Sequence, residues 1–75
     1  MLHRGAIMKL YFENSQGIER VIAEVVNEEE AYKEINKFCE ERNFKIYYVR
    51  TWMSNGRKKY DVGSHTEFFY LDTNE

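Results

Sequence analysis

The chain has 75 residues, of which 43% are apolar, 16% aromatic and 32% charged. This length predicts one domain, residues 1–75, and excludes a two-domain enzyme. The apolar content is too high for a disordered segment, and the charged content is too high for a membrane protein. The net charge of −2 excludes a uniformly cationic nucleic-acid binder.

Cysteine usage and the N-terminal segment predict a cytoplasmic protein. Cys39 is the sole cysteine, so the sequence can form neither an intramolecular disulfide nor a cysteine-based zinc site. Residues 1–7 have no apolar run of signal-peptide length, and we expect them to be flexible, with Met8 as an alternative start to Met1. No uncharged stretch is long enough to span a bilayer, and no cofactor motif is present.

The first half of the chain predicts a β-hairpin. Residues 8–13 and 18–26 are rich in β-branched and aromatic side chains. The Asn-Ser-Gln-Gly cluster at 14–17 separates them and favours a turn.

A helix over residues 28–42 follows. Asn27 supplies an N-cap oxygen, and Glu30 stands three residues later, as in a capping box. Asn43 fits a left-handed stop, with Phe44 folding back after it as in a Schellman motif. One stripe of the helix faces the core, and its members are Ala31, Ile35, Phe38, Cys39 and the long side chain of Arg42.

The second hairpin has the strongest local signal, Asn55-Gly56 between two aromatic and β-branched runs. A two-residue turn there places Arg50 opposite Asp61 and Tyr48 opposite Gly63, whose bare backbone the tyrosine ring would cover. A bulge at Gly63 would shift later pairs, such as Ile46 with His65, by one residue. We expect one face to point to the core (Val49, Thr51, Met53, Tyr60, Val62) and the other outward (Tyr48, Arg50, Trp52, Lys59, His65).

The order ββαββ predicts an α+β fold, a four-stranded antiparallel sheet of two β-hairpins packed on one face by a single α-helix. Twelve aromatic residues exceed what one helix can cover. A strand through the consecutive residues Phe68, Phe69 and Tyr70 would place rings on both faces. Exposed rings of this kind commonly mark a protein interface.

The charge is divided along the chain. Residues 13–41 hold nine acidic and three basic side chains, whereas residues 44–60 hold five basic and no acidic ones. One interpretation is single-stranded nucleic-acid binding by hairpin 45–60, with phosphates on Arg57, Lys58 and Lys59 and bases stacked on Trp52 and Tyr48. The other is that the lysines protect a hairpin edge.

Asp61, His65 and Glu67 are the cluster that most resembles a catalytic or metal site. A histidine between two carboxylates can act as a general base. Residues two apart on a strand are about 7 Å apart, however, and no nucleophile or phosphate loop accompanies them. We therefore predict no enzyme activity, no catalytic residue and no bound metal.

Three segments carry a family resemblance: residues 38–44 (FCEERNF), 48–52 (YVRTW) and 61–69 (DVGSHTEFF). With them, residues 21–69 resemble small proteins encoded by temperate phages and prophages of Gram-positive bacteria. The resemblance implies a short accessory protein acting in a bacterial cytoplasm and supplies no catalytic residues.

The leading hypothesis is a non-enzymatic phage or prophage accessory protein that acts through protein–protein interaction. The partner is then a protein of the host or the phage, and a homodimer is one form of such association. We expect the partner-binding residues to be Tyr48, Arg50, Trp52, His65, Glu67 and Phe69.

Overall fold

The computed structural model describes residues 7–64 and 66–72. Most of the predicted flexible segment, residues 1–6, and His65 therefore lie outside the described residues. The elements are β1 (Met8–Glu13), β2 (Glu19–Val25), α1 (Glu28–Glu41), β3 (Arg50–Ser54), β4 (Arg57–Asp61) and β5 (Phe68–Asp72).

The first hairpin and the helix are confirmed. Asn14 closes the β1–β2 turn, because its side-chain oxygen accepts hydrogen bonds from the backbone N–H groups of Gln16 and Ile18 at 2.8 and 3.0 Å. At the start of α1, the Asn27 side chain accepts from the N–H of Glu30 at 2.8 Å. The Glu30 carboxylate accepts in turn from the N–H of Val26, one residue before the cap.

The helix ends as predicted. Asn43 has φ 59°, in the left-handed region. The N–H of Phe44 donates to the carbonyl of Cys39 at 2.9 Å, and that of Asn43 donates to Glu40 at 3.2 Å. These two bonds define a Schellman motif. The guanidinium of Arg42 lies 4.0 Å from the centroid of the Phe38 ring, so this side chain covers the apolar stripe as expected.

The register of the second hairpin is also confirmed. Strand β3 pairs with β4 from Arg50 opposite Asp61 to Ser54 opposite Arg57. Asn55 and Gly56 have φ 54° and 81°, the positive values that a type I′ turn requires.

The predicted pairs beyond Asp61 are wrong. The ladder ends at Arg50 and Asp61, and the N–H of Tyr47 donates to the carbonyl of Val62 at 3.1 Å. Tyr47, rather than Tyr48, covers Gly63: a Cβ at Gly63 would lie 2.8 Å from the Tyr47 Cβ. The φ of Gly63 is 96°, so the chain leaves the strand conformation at this glycine.

The predicted four-stranded sheet is wrong. The described residues form a five-stranded antiparallel sheet of order β2-β1-β5-β4-β3. The α+β class and the β-hairpins are confirmed. After Gly63 the Ser64 Oγ accepts from the N–H groups of Thr66 and Glu67, and this turn reverses the chain. Strand β5 then runs back between β4 and β1, so it joins the two hairpins.

The core lies between α1 and one face of the sheet. Thr51, Val49 and Met53, which we expected in this core, are exposed instead, because β3 is the last strand of the sheet and lies beyond the cover of α1. No helix in the described ranges has the length and apolarity needed to cross a bilayer. The buried core comprises Leu10, Phe12, Val25, Ala31, Ile35, Phe38, Cys39, Tyr60, Val62, Phe69 and Leu71.

Candidate protein interface

The sheet face opposite α1, here called the open face, carries a row of large side chains. Strand pairing places Tyr11 beside Tyr70, Tyr70 beside Lys59 and Lys59 beside Trp52, so four strands contribute to one row. Side chains of residues paired across antiparallel strands share a face. Side chains along β5 alternate between the two faces of the sheet, so Phe68 lies on the same face as Tyr70, whereas Phe69 lies in the core.

Cations lie on the rings of this row. The guanidinium carbon of Arg57 is 4.2 Å from the Tyr70 ring centroid. The Lys59 ammonium is 4.1 Å from the centroid of Phe68 and 5.7 Å from that of Trp52. Each contact is a cation–π arrangement. The long basic side chains thus cover Tyr70, which is buried although no helix lies on this face among the described residues.

Carboxylates neutralise part of this charge. Arg57 binds Glu19 with two hydrogen bonds of 2.8 and 3.0 Å, and these bonds lower the pKa of Glu19. The Tyr70 hydroxyl donates to Glu13 at 2.8 Å. Burial, followed by that bond to a carboxylate, raises the pKa of Tyr70 to about 12.

The predicted ion pair between Arg50 and Asp61 is present, with 3.0 Å between the nitrogen and the oxygen. Asp61 also accepts the N–H of Gly63 at 2.9 Å. That backbone bond, and then Arg50, lower the pKa of the Asp61 carboxyl. Two thirds of the Arg50 side chain is nevertheless exposed.

Two members of the cluster weighed as catalytic, Asp61 and Glu67, are bonded to other groups within the described part of the chain. Asp61 is engaged by Arg50 and Gly63, while Glu67 accepts a hydrogen bond from the Ser64 hydroxyl. Among residues 7–64 and 66–72 no group of three or more His, Cys, Asp or Glu side chains is placed to hold a metal ion. His65 lies outside these residues.

The basic residues of the hairpin tip are divided between the two faces. Arg57 and Lys59 lie on the open face, whereas Lys58 is on the α1 face and donates to Glu28 at 2.7 Å. By register, the open face holds four cations and five carboxylates: Lys9, Arg50, Arg57 and Lys59 against Glu13, Glu19, Glu24, Asp61 and Asp72. The basic segment, residues 44–60, therefore does not give the open face a net positive charge.

The exposed apolar residues concentrate at β3 and the segment before it, which we call the β3 patch (residues 47–53). Arg50 connects its rings, with its guanidinium carbon 5.4 Å from the Tyr48 centroid and 6.0 Å from that of Trp52. The exposed fractions are 67% for Tyr47, 49% for Tyr48, 38% for Val49, 43% for Trp52 and 60% for Met53.

Not all the predicted partner-binding residues lie on this patch. Tyr48, Arg50 and Trp52 do, as expected. Phe69 is fully buried in the core, and Glu67 is half-buried on Ser64. Tyr47 and Met53 are also exposed on the patch, although the sequence predicted a regular strand pair for Tyr47 and a core position for Met53.

A cleft of about 700 Å³ adjoins the patch. It lies between the segment after α1 and the β4–β5 turn, and both Tyr47 and Tyr48 belong to the cleft and to the patch. The lining includes Phe44, Lys45, Tyr47, Val62, Ser64 and Glu67. Pockets with mostly apolar walls and a few polar groups can accept a side chain from a binding partner.

Comparison of the chain with protein-family models, curated proteins and solved structures finds no match. The surface chemistry of the β3 patch is therefore the main guide to function.

Proposed function

We propose that the protein is a non-enzymatic accessory factor that acts by binding another protein through the β3 patch. The observation that supports this proposal is the concentration of five large, exposed apolar side chains within residues 47–53. Isolated exposed apolar residues are common on soluble proteins, but several close together on the two faces of one outer strand are typical of an interaction site.

The composition of the patch suits a binding site. The patch contains Tyr48, Trp52 and Arg50. Tyrosine, tryptophan and arginine are the residue types that most often contribute strongly to protein interfaces. Asp61 binds Arg50 while leaving most of the side chain exposed, so the exposed part of the guanidinium can bond a carboxylate or carbonyl of a partner. The adjoining cleft offers room for one projecting side chain.

The alternative of single-stranded nucleic-acid binding by residues 45–60 has less support. Arg57 and Lys58 each form a close ion pair, with Glu19 and Glu28. Phosphate binding would have to replace both pairs. Lys59 lies on the open face, where carboxylates outnumber cations. A stacking platform without a net positive surface is a weak site for a polyanion.

The resemblance to small phage and prophage proteins supplies the proposed setting. In it, the protein acts in the cytoplasm of a Gram-positive host and binds a protein of the host or the phage. Short phage-encoded proteins commonly modulate other machinery, which fits a surface built for contact.

The test is affinity capture with the tagged full chain from a lysogenic Gram-positive host, followed by mass spectrometry. We expect the double variant Tyr48→Ala/Trp52→Ala to lose at least ten-fold of the captured partner, because it removes both large anchors. Asn36→Ala, at an exposed position of α1, is the matched control and should capture normally. Equal capture by the double variant would exclude the patch, and nuclease-sensitive capture that falls steeply with salt would favour the nucleic-acid alternative.

A further inference from the structure

Strand β3 ends the sheet with an unpaired edge. It pairs with β4 on one side, and the sheet order places no described strand on the other. In a hairpin with a two-residue turn, the closing pair Ser54–Arg57 is hydrogen-bonded, and bonded pairs then alternate. Arg50 and Trp52 consequently bond to β4, while the backbone groups of Thr51 and Met53 point outward.

The two edges of the sheet differ in how they resist strand addition. Strand β2 carries Glu19, Arg20 and Glu24, and its pairing with β1 contains a register shift. Strand β3 has one charged residue, Arg50, no proline and no irregularity in its pairing. Charges and bulges are devices that block edge pairing. The lysines of this hairpin are on β4, an interior strand, so they do not protect the β3 edge.

We propose that β3 pairs antiparallel with β3 of a second copy, about a two-fold axis at Thr51, to give one continuous ten-stranded sheet. This inference rests on the proposed function, since it assigns one partner of the β3 patch. Two-fold symmetry makes the interface isologous, so every contact occurs twice. The outward-pointing residues of the two strands must then face each other, which restricts the pairs to a few registers.

The side chains select among these registers. With the axis at Thr51, Arg50 opposes the second copy's Trp52 on the open face, and Val49 opposes Met53 on the other face. Both copies thus gain a cation–π pair and an apolar pair. An axis at Arg50 would oppose two like charges, and an axis at Trp52 would leave Arg50 opposite Ser54. Of the registers centred on Arg50, Thr51 and Trp52, the one at Thr51 is therefore the one in which β3 is self-complementary on both faces.

Disulfide trapping tests the register in the full chain. Directly opposed, hydrogen-bonded residues have Cα atoms about 5.5 Å apart, within reach of a disulfide. We expect Thr51→Cys to form a covalent dimer under mild oxidation, at a yield at least ten-fold above that of Met53→Cys, a control at another exposed position of β3. Native Cys39 is buried, and burial raises the pKa of its thiol, so it does not compete. Equal yields, or no dimer from Thr51→Cys, would overturn the proposal.

Sedimentation equilibrium supplies a second test. Proline at position 51 removes an outward N–H without removing a β3–β4 hydrogen bond. We expect Thr51→Pro to raise the dimer dissociation constant at least ten-fold and Thr51→Val to leave it within about three-fold. A wild-type chain that remains monomeric at roughly 0.5 mM contradicts the inference, because this concentration is near the largest dissociation constants usual for weak dimers. Capture insensitive to Tyr48→Ala/Trp52→Ala would contradict the proposed function instead.

Discussion

Asp61 shows how one residue can serve the structure while resembling a catalytic group. Its carboxylate accepts the N–H of Gly63 and binds Arg50, so it fixes both the end of β4 and the base of the β3 patch. Sequence reasoning identified the Arg50 pair correctly, because the turn at 55–56 fixed the register. It did not anticipate the bond to Gly63, because that bond forms where the strand breaks.

The lowered pKa of Asp61 predicts a pH-dependent contribution to stability. The folded-state pKa lies below the unfolded value of about 3.9, so the contribution is complete above roughly pH 5 and is lost as the pH falls through the folded-state pKa. We expect Asp61→Asn to lower the free energy of unfolding at pH 7 and the difference from wild type to shrink below pH ~4. Urea unfolding across this pH range measures it.

The control for Asp61→Asn is Glu40→Gln, which alters an exposed acid on α1. Its effect should be small at every pH. A gap between Asp61→Asn and wild type that stays constant down to pH ~2 would show that the ionised form is not the one that stabilises the fold.

Tyr60 carries a buried polar atom that sequence reasoning overlooked. The side chain is fully buried, and its hydroxyl has no hydrogen-bond partner within residues 7–64 and 66–72. Burial raises the pKa of Tyr60 to about 12, so the hydroxyl stays protonated at neutral pH. An unpaired buried hydroxyl costs about 1–3 kcal/mol.

We therefore expect Tyr60→Phe to raise the free energy of unfolding by about 1 kcal/mol, measured by urea denaturation. Tyr32→Phe is the control, because the Tyr32 ring lies 5.5 Å from that of Tyr60 but is partly exposed. A loss of stability in Tyr60→Phe would mean that the hydroxyl is satisfied in solution.

At the scale of elements, local chemistry determined the ends of α1 and the turns of both predicted hairpins. The cap at Asn27 and the Schellman motif at Asn43 and Phe44 use bonds between residues at most five apart. Such bonds depend little on the rest of the chain, so sequence patterns report them well. The error at Gly63 arose because Tyr47, which packs on it, lies in the irregular segment before β3 and not in a strand paired with residue 63.

The cap predicts a measurable contribution to stability. We expect Asn27→Ala to lower the free energy of unfolding by about 1 kcal/mol, because the N–H of Glu30 loses its acceptor. Asn36→Ala removes an asparagine from the exposed middle of α1 and should be neutral or slightly stabilising. Thermal unfolding by circular dichroism compares the two, and equal effects would contradict a capping role.

At the scale of the whole molecule, β5 determines the architecture. It lies between the two hairpins and hydrogen-bonds with both β1 and β4. The run Phe68 to Leu71 is almost entirely apolar, as in a strand covered on both faces. One face of β5 packs under α1, and basic side chains cover the other.

Two adjacent rings on β5 should therefore differ sharply in their effect on stability. Phe69 is buried between Phe12 and Phe38, with ring centroids at 5.3 and 5.6 Å, and Phe69→Ala should cost about 3–5 kcal/mol. Phe68→Ala should cost about 1–2 kcal/mol, because Phe68 is half-buried and contacts Lys59. Urea unfolding monitored by Trp52 fluorescence tests this, and similar costs would contradict the assignment of the two faces.

The sequence by itself determined the α+β class, the helix with its caps, both hairpins with the 55–56 turn, and the Arg50–Asp61 pair. These features depend on contacts between residues close along the chain, or on the β3–β4 register that the 55–56 turn fixes. Only the tertiary structure decided that β5 is central, that β3 is an outer strand with both faces exposed, and that the basic residues of the hairpin divide between two faces. Strand order depends on contacts between residues as far apart as Lys9 and Asp72, which no local pattern encodes.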